Sequence, residues 1–193
     1  PPDGLKAQLC PKLDVSCTRP LAGNTRLADN GRLIARVPGE FDGYLELTAP
    51  GITPALFFVT QPLWQDTVFE HVLPVVSPEG FRGIADAIGT TLDLDTLGHV
   101  YALAADCAGA PAAGVHLDVD QMTPTTASYY MISNVPVASA VATDASGSGG
   151  FLNRKSGFTR ITARVSSSGA RIGESGFIVR SGAVSYPLLL PSP

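Results

Sequence analysis

Charge is scarce in this sequence, and lysine is especially rare. Asp, Glu, Lys and Arg make up 16% of its 193 residues, against about 25% in a typical soluble domain. Ten of the 13 basic residues are Arg and three are Lys, the residue that most often guards exposed sheet edges. Two interpretations remain open: a neighbouring molecule covers part of the surface, or a coding bias favours Ala, Gly, Pro and Arg.

Runs of basic residues and long apolar runs do not occur, and the formal net charge is −4. Binding to nucleic acid needs clustered cations, so we expect no nucleic-acid partner. No apolar stretch approaches the ~20 residues of a membrane-spanning helix, so no transmembrane segment is expected. We identify no signal peptide. The abrupt start at Pro1 suggests that an upstream segment was removed.

Cysteine is also sparse, with three residues. Cys10 and Cys17 lie seven residues apart around turn-forming residues, and a disulfide can close such a loop if its ends pair across a hairpin. Cys107 is then left over, either as a buried thiol or as a partner for a group outside this chain. A disulfide favours an extracellular or cell-envelope location.

Glycine and proline are abundant, with 20 and 16 residues that separate short runs of alternating polar and apolar residues. An alternation with a period of two is typical of half-buried strands, and many short strands favour an all-β sandwich. In one such run, 44–48, we expect Tyr44, Glu46 and Thr48 on the outward face. The expected inward-facing residues are Leu45, Leu47, Val115, Leu117, Val119, Ile161, Ala163 and Val165.

One segment, 77–89, predicts a helix. Ser77 suits the N-cap, Pro78 the first helical position and Glu79 the positive end of the helix dipole. Gly89 suits the left-handed position after the C-cap. A stripe of apolar residues at helical spacing predicts the buried face: Phe81, Ile84, Ala85 and Ile88.

An internal repeat organises the rest of the chain. Residues 1–9 match 111–119, and 27–51 match 142–169, with the same order of turns and strands. We therefore predict a β-sandwich over residues 1–76, the helix and a linker over 77–97, and a second β-sandwich over 98–193.

The glycine-rich stretch 143–153 (TDASGSGGFLN) belongs to this repeat. It does not fit a dinucleotide-binding fingerprint, because Leu152 stands where the last glycine would fall and no amphipathic helix follows. It predicts a β-hairpin turn in which Asp144 bonds the backbone and glycines supply positive φ.

Short turn motifs recur in both copies. The second copy has G-H-V at 98–100, D-C-A-G-A-P-A-A-G-V at 106–115 and T-D-A-S-G at 143–147, and the first has D-N-G at 29–31 and V-P-G at 37–39. With these motifs each copy resembles the carboxypeptidase regulatory-like module. The tandem looks like secreted or envelope proteins of myxobacterial type. The resemblance implies two transthyretin-like Greek-key β-sandwiches, and turn motifs specify fold far more than function.

The repeat also exposes a difference between the copies. The second copy has a strand-like segment, 98–106, before its Pro-x-x-Gly, whereas the sequence starts at the Pro-x-x-Gly of the first copy. Either that opening strand was trimmed, or another molecule supplies it by strand addition. The apolar segment 183–193 could be a last native strand or a donor strand.

No pattern typical of a nucleophilic enzyme is present. The G-x-S-x-G motif does not occur, and G-E-S-G at 173–176 is one residue short of it. Cys107 could serve as a nucleophile only if His99 or His116 approached it. We therefore predict that the protein is not an enzyme.

Two clusters of potential metal ligands have simpler interpretations. His116, Asp118 and Asp120 share one strand face, which is more typical of a solvated surface. Asp93 and Asp95 lie in a segment that lacks the further ligands of a calcium loop. No metal site is predicted at either place.

The intradiol ring-cleaving dioxygenases use a similar sandwich and hold iron with two Tyr and two His. The adjacent Tyr129 and Tyr130 would point to opposite faces of a strand and could not both reach one iron. A spaced pair of histidines is also absent, since the three histidines are His71, His99 and His116. No cofactor is predicted.

Trp64, the single tryptophan, lies in a polar segment with a proline. It could anchor the loop from beneath, stack on a sugar or contact a protein partner. The leading prediction is a non-catalytic extracellular structural or interaction protein that self-associates, with a filament or surface array built by β-strand complementation as one form. The alternative is a carbohydrate- or surface-binding module that uses Trp64.

Overall fold

The computed structural model of this protein describes residues 3–28, 32–59, 62–63 and 74–191. Within them are thirteen strands and one α-helix. In chain order these are β1 (Lys6–Pro11), β2 (Asn24–Leu27), β3 (Leu33–Arg36), β4 (Gly43–Thr48), β5 (Ala55–Phe58), α1 (Pro78–Ala87), β6 (Gly98–Ala104), β7 (Val115–Val119), β8 (Ala127–Ile132), β9 (Val135–Val137), β10 (Ser148–Arg154), β11 (Gly157–Val165), β12 (Arg171–Val179) and β13 (Val184–Leu189).

The strands form three sheets. Eight of them make one sheet in the order β1-β4-β5-β13-β6-β10-β8-β9, three make a second in the order β12-β11-β7, and β2 and β3 make a two-stranded ribbon. Neighbouring strands are antiparallel except at β13, which runs parallel to both β5 and β6. The prediction of a mostly β protein with one short helix is confirmed.

The pairing pattern repeats along the chain. β1, β4 and β5 are antiparallel neighbours in that order, and so are β7, β11 and β12. The antiparallel pair β2–β3 likewise corresponds to β8–β10. Strands β1, β3 and β4 of the first half, and β7, β10 and β11 of the second, lie in or overlap the segments that the sequence repeat aligns, and the pairing extends the repeat to β2, β5, β8 and β12.

Strand β13 joins the two sets of strands. Val184 pairs with Ala55 of β5 on one side and with His99 of β6 on the other. One sheet therefore runs through strands from both halves of the chain, and the predicted division into two sandwiches at residues 77–97 is not confirmed. The segment that could have been a donor supplies a native strand of its own chain.

Two hydrophobic clusters cover opposite faces of the eight-stranded sheet, because successive side chains of a strand alternate between faces. Phe151 and Tyr130 belong to the first cluster, which also includes Ile161 of β11 in the three-stranded sheet. The adjacent residues Leu152 and Tyr129 belong to the second cluster, which includes buried side chains of α1. The sheet is thus packed on both sides.

Strand β4 departs from the prediction for this reason. Leu45 and Leu47 contribute to the second cluster as expected. However, Tyr44 and Glu46, which were predicted to face outward, are only 0% and 5% exposed. The Tyr44 ring lies 4.9 Å from the ring of Phe58 within the first cluster. A simple polar–apolar alternation cannot reveal a strand whose second face is covered by another part of the chain.

Helix α1 forms as predicted. The Ser77 side chain caps it by accepting a hydrogen bond from the Gly80 N–H at 3.1 Å. Phe81 and Ala85 are buried against the eight-stranded sheet, and Gly89 has a φ of 71°. The apolar stripe therefore places α1 over the second cluster.

The glycine-rich stretch is a turn followed by a strand, and the predicted β-hairpin is wrong, because β8 lies between β9 and β10 in the sheet. The Asp144 side chain accepts a hydrogen bond from the Ser146 N–H at 2.8 Å, and Gly147 has a φ of 66°, as predicted. Gly149 and Gly150, however, belong to β10, the strand between β6 and β8. They allow close approach: a Cβ on Gly150 would overlap the Val100 carbonyl and lie 2.9 Å from the Tyr129 hydroxyl.

We therefore expect Gly150→Ala to lower the free energy of unfolding by about 1–3 kcal/mol through overpacking. The matched control is Gly83→Ala in the exposed face of α1, where nothing lies within 4 Å of the new Cβ. That variant should raise stability by about 0.5–1 kcal/mol, because Ala is the better helix former. Urea denaturation measures both; equal stability of the two variants would contradict the packing argument.

Candidate functional site

The predicted disulfide between Cys10 and Cys17 is present, with Cα atoms 5.3 Å apart. It closes a loop that is held to the rest of the fold at two points. The Tyr44 hydroxyl donates to the Asp14 carbonyl at 2.6 Å, and burial raises the pKa of Tyr44 to about 12, so the phenol keeps its proton. Arg180, which follows β12, donates to the Val15 carbonyl at 3.4 Å. The loop is therefore fixed at both its centre and its ends.

A buried ion pair lies beside the disulfide. Glu46 is 5% exposed, pairs with the Arg180 guanidinium, and accepts a hydrogen bond from the Gln8 amide at 2.7 Å. This pair connects β4 to the turn between β12 and β13. Removing one partner would leave an uncompensated buried charge. No local sequence pattern predicts this pair, because the two residues are 134 positions apart.

The same place contains the one group of three potential metal ligands in the part of the chain that the structure describes. Cys10, Cys17 and Glu46 have ligand atoms within 4.8 Å of one another. The two sulfurs are bonded to each other, and the Glu46 carboxylate is paired with the Arg180 guanidinium. In this state the group is a structural cluster and does not present thiolate ligands.

Cys107 is a free and exposed cysteine. It lies in the turn that Asp106 caps by accepting the N–H groups of Ala108 and Ala110 at 2.8 and 2.9 Å. The alternative of a buried thiol is therefore wrong, because the turn carries this side chain on the surface. The role as an intermolecular thiol stays a prediction.

The row of His116, Asp118 and Asp120 is occupied by partners within the chain. Asp118 accepts from His116 Nε2 at 3.1 Å and from Arg164 Nε at 2.9 Å. Asp120 instead turns toward Arg154, 3.5 Å away. His116 and Asp118 therefore contact each other on the three-stranded sheet while Asp120 pairs with Arg154, so the three side chains do not converge on one point.

Asp93 and Asp95 form a tight turn. Asp93 accepts hydrogen bonds from the Asp95 N–H at 3.0 Å and the Thr96 N–H at 2.8 Å. The hydrogen bond from the Thr96 hydroxyl, together with these N–H groups, lowers the pKa of Asp93. The carboxylate stabilises the turn that leads into β6, which accounts for the pattern without a cation.

Tyr129 and Tyr130 point to opposite faces of β8, as predicted. Tyr129 belongs to the second cluster and Tyr130 to the first. The Tyr130 hydroxyl accepts the Leu117 N–H at 2.9 Å and lies 3.4 Å from His116 Nδ1. The arrangement does not bring both tyrosines to one centre.

His99 is fully buried and stacks on Phe81 of α1 with ring centroids 5.7 Å apart. Its Nδ1 accepts the Asn153 N–H at 3.3 Å, which places the proton of the neutral ring on Nε2. Nε2 is buried without a hydrogen-bond partner among the described residues. Burial lowers the pKa of His99 to about 4, although nearby Asp93 opposes the change. His99 is thus a neutral core residue at physiological pH.

A shallow cavity of about 340 Å³ lies beside Arg154, which is 2% exposed. The guanidinium donates to the Gln121 carbonyl at 2.8 Å and to the Thr159 hydroxyl at 3.0 Å. Its other contacts are with Asp120. Arg154 therefore ties the loop after β7 to β11, and its hydrogen bonds are mostly satisfied within the chain.

Trp64 and His71 lie outside the described residues. No helix within those residues combines the length and the apolar character that crossing a membrane requires.

Sheet edges offer a different kind of site, because an edge strand presents unpaired backbone groups. The edge of β1 is covered. The Ala7 carbonyl accepts the Thr25 hydroxyl at 2.8 Å, and the Leu9 carbonyl accepts the Leu21 N–H at 2.8 Å.

Two further edges are protected. On β7, the Val115 N–H donates to the Thr143 hydroxyl at 3.0 Å and the Leu117 N–H donates to the Tyr130 hydroxyl at 2.9 Å. β9 has Pro136 at its centre, which cannot donate to another strand.

The outer edge of β3 lacks such protection. The Ala28 N–H donates to the Arg32 carbonyl at 2.8 Å. Because bonded and unbonded pairs alternate in an antiparallel ladder, Ile34 directs its backbone groups toward β2. Leu33 and Ala35 direct theirs outward, where they pair with no strand in the described ranges. β3 contains neither Lys nor Pro.

The outer edge of β12 is a second open edge. The Asp120 N–H donates to the Arg160 carbonyl at 3.1 Å, so even-numbered residues of β11 pair with β7 and odd-numbered ones with β12. Odd-numbered residues of β12 lie opposite them. The backbone groups of Glu174, Gly176 and Ile178 therefore point outward.

Only part of this edge is capped. The buried Ser185 hydroxyl donates to the Ile178 carbonyl at 2.7 Å. No backbone hydrogen bond joins the outward groups of Glu174 and Gly176 to any described residue. Sequence reasoning missed this edge, because a strand pattern does not reveal where in a sheet the strand lies.

We expect the double variant Cys10→Ser, Cys17→Ser to lose about 2–3 kcal/mol of stability, since opening a short loop raises the entropy of the unfolded chain. Cys107→Ser is the matched control and should leave stability within about 0.5 kcal/mol of the parent, because this thiol is exposed. Urea unfolding without reductant measures both. A double variant as stable as the control would contradict a structural role for the disulfide.

The free energy of unfolding should also decrease as the pH is lowered from about 6.5 to about 4. In this window the unfolded chain protonates His99 at its ordinary pKa of 6.5, while the folded state resists until about pH 4. Acid therefore favours unfolding, by about 1.4 kcal/mol per pH unit from this residue. His99→Gln should flatten the slope of unfolding free energy against pH in this window, whatever its effect at pH 7. An unchanged slope would contradict the assignment.

Comparisons with known proteins give no relative: no family model matches the chain, and neither a curated protein nor a solved structure matches it significantly.

Proposed function

We propose that this protein is a non-catalytic structural subunit that works outside the cell or in the cell envelope and self-associates by β-strand addition at the outer edge of β3. The observation that carries the proposal is the contrast between two equivalent edges. β10 is flanked by β8 and β6, whereas its counterpart β3 is flanked only by β2 in the described structure.

The equivalence extends to single residues. Aligning 33–36 with 151–154 places Leu33 opposite Phe151. Phe151 pairs with Val100 of β6, while Leu33 directs its backbone groups to the open edge. A strand added beside β3 would occupy the place that β6 occupies beside β10. Such addition is a recurring way in which proteins recognise extended segments.

Strand β3 is less buried than its counterpart β10, as expected for an edge that receives a strand from another molecule. All seven residues of β10 are buried. In β3, Leu33 and Ile34 are half-buried and Ala35 and Arg36 are exposed. A neighbouring chain at this edge would cover the strand, which also fits the low overall content of charge and lysine.

The disulfide agrees with a scaffold role outside the cell. An intramolecular disulfide persists in oxidising compartments. The candidate chemical residues within the described ranges are engaged in turns, ion pairs or the core. A carbohydrate- or surface-binding role for Trp64 remains the alternative prediction, and no described residue favours it.

The proposal predicts reversible, concentration-dependent association. Sedimentation velocity over a wide concentration range, with negative-stain microscopy at the highest, should detect species larger than the monomer. Ala35→Pro should abolish them, because proline removes an outward N–H at an edge where proline is otherwise tolerated. Ala35→Val keeps that N–H and should associate like the parent, and the melting temperature of each variant reports whether it is folded.

A second measurement does not depend on the stability of a variant. A soluble synthetic peptide with the sequence of β6 should compete for the edge and reduce association, while a scrambled peptide should not. A parent chain that stays monomeric at millimolar concentration would overturn the proposal. So would association that neither Ala35→Pro nor the β6 peptide reduces.

A further inference from the structure

The two open edges, β3 and β12, are counterparts of two edges that are filled elsewhere in the same molecule. β3 corresponds to β10, whose edge is filled by β6. β12 corresponds to β5, whose edge is filled by β13. Of these four edges, each half of the repeat therefore has one filled and one left open by the described residues, on the β3 side in the first half and on the β12 side in the second.

Each edge includes two residues, spaced two apart, whose backbone N–H and C=O groups both lack a backbone partner among the described residues. β3 offers the N–H and C=O groups of Leu33 and Ala35, two residues apart. β12 offers those of Glu174 and Gly176, also two residues apart, and beyond them the Ile178 C=O already accepts the Ser185 hydroxyl. In an antiparallel ladder, two facing hydrogen-bonded pairs exchange four hydrogen bonds. Pairing of the two edges would thus satisfy every outward group named here.

We propose that the β3 edge of one copy pairs with the β12 edge of the next, so that copies join head to tail; this rests on the proposed function and names the partner of its site. The alternative is pairing of β3 with β3 of a second copy. It would use the outward groups of Leu33 and Ala35 from both copies and would leave the β12 edge of each copy unpaired. A head-to-tail contact joins two different surfaces, so it does not close on itself in a dimer and can extend into a filament or ring.

The outward side chains leave room for this contact. Gly176 has no side chain, and the ring of Phe158 from β11 lies over it, 2.6 Å from where a Cβ would be. Glu174 forms ion pairs with Arg160 of the adjacent strand β11 at 3.3 Å and with Arg171 of β12 itself at 3.2 Å. Side chains of a strand stand roughly perpendicular to the sheet, so neither residue is expected to block the edge.

Two variants that each block one edge test whether β3 of one copy pairs with β12 of the next. Ala35→Pro blocks β3, and Glu174→Pro removes an outward N–H of β12. The control for the second is Glu174→Ala, which loses the ion pairs but keeps the N–H. We expect each proline variant alone to be a monomer in sedimentation velocity, while Glu174→Ala associates like the parent. Melting temperatures establish that each variant is folded.

Mixing the two proline variants gives the decisive result. Each retains the edge that the other lacks, so an equimolar mixture should form 1:1 dimers and nothing larger. If Glu174→Pro alone associates as the parent does, the β12 assignment is overturned while strand addition at β3 survives. Should the folded variants remain monomeric when mixed, the head-to-tail pairing is overturned. A parent that never associates would instead overturn the proposed function itself.

Discussion

Parallel pairing of β13 with both β5 and β6 is the constraint on which the rest of this structure depends. A parallel neighbour cannot be reached by a tight hairpin. The chain reaches β13 from β12 of the three-stranded sheet through a short turn, which brings that sheet over the larger one. Without β13, the strands of the two halves would be separate sheets. With it, they form a single eight-stranded sheet with a hydrophobic cluster on each face.

Several buried contacts follow from that one strand. Phe58 of β5 packs near Phe177 of β12, with ring centroids 5.6 Å apart, and Arg180 after β12 reaches Glu46 of β4. The disulfide loop then lies against the same turn, through the Val15 carbonyl. A polar residue in the first third of the chain is therefore buried by a partner near its end, and the face of β4 that the sequence marks as solvent-exposed becomes part of the core.

Local chemistry was predictable from the sequence, and sheet order was not. The cap at Ser77, the left-handed Gly147 and the alternation of Tyr129 and Tyr130 depend on neighbours within a few residues. The same holds for the disulfide, whose cysteines flank a short loop. The pairing of β13, the burial of Glu46 and the open edge of β12 depend on contacts between distant segments, which no local pattern encodes. The repeat was the exception, because aligned segments predict equivalent pairings without specifying how the halves join.

Duplication itself explains why two unlike edges remain open. Apart from the edges of β1 and β7 and the outer sides of β2 and β8, each half has an edge on the β3 or β10 side and one on the β5 or β12 side. Two halves therefore have four such edges, and the described chain fills only two of them, with β6 and β13. Because β6 and β13 also pair with each other, both are used at the junction inside the molecule. The unfilled edges, on β3 and β12, consequently lie in different halves, and neither strand contains Lys or Pro. A chain that repeats its strands but provides only one junction is complementary to a further copy of itself.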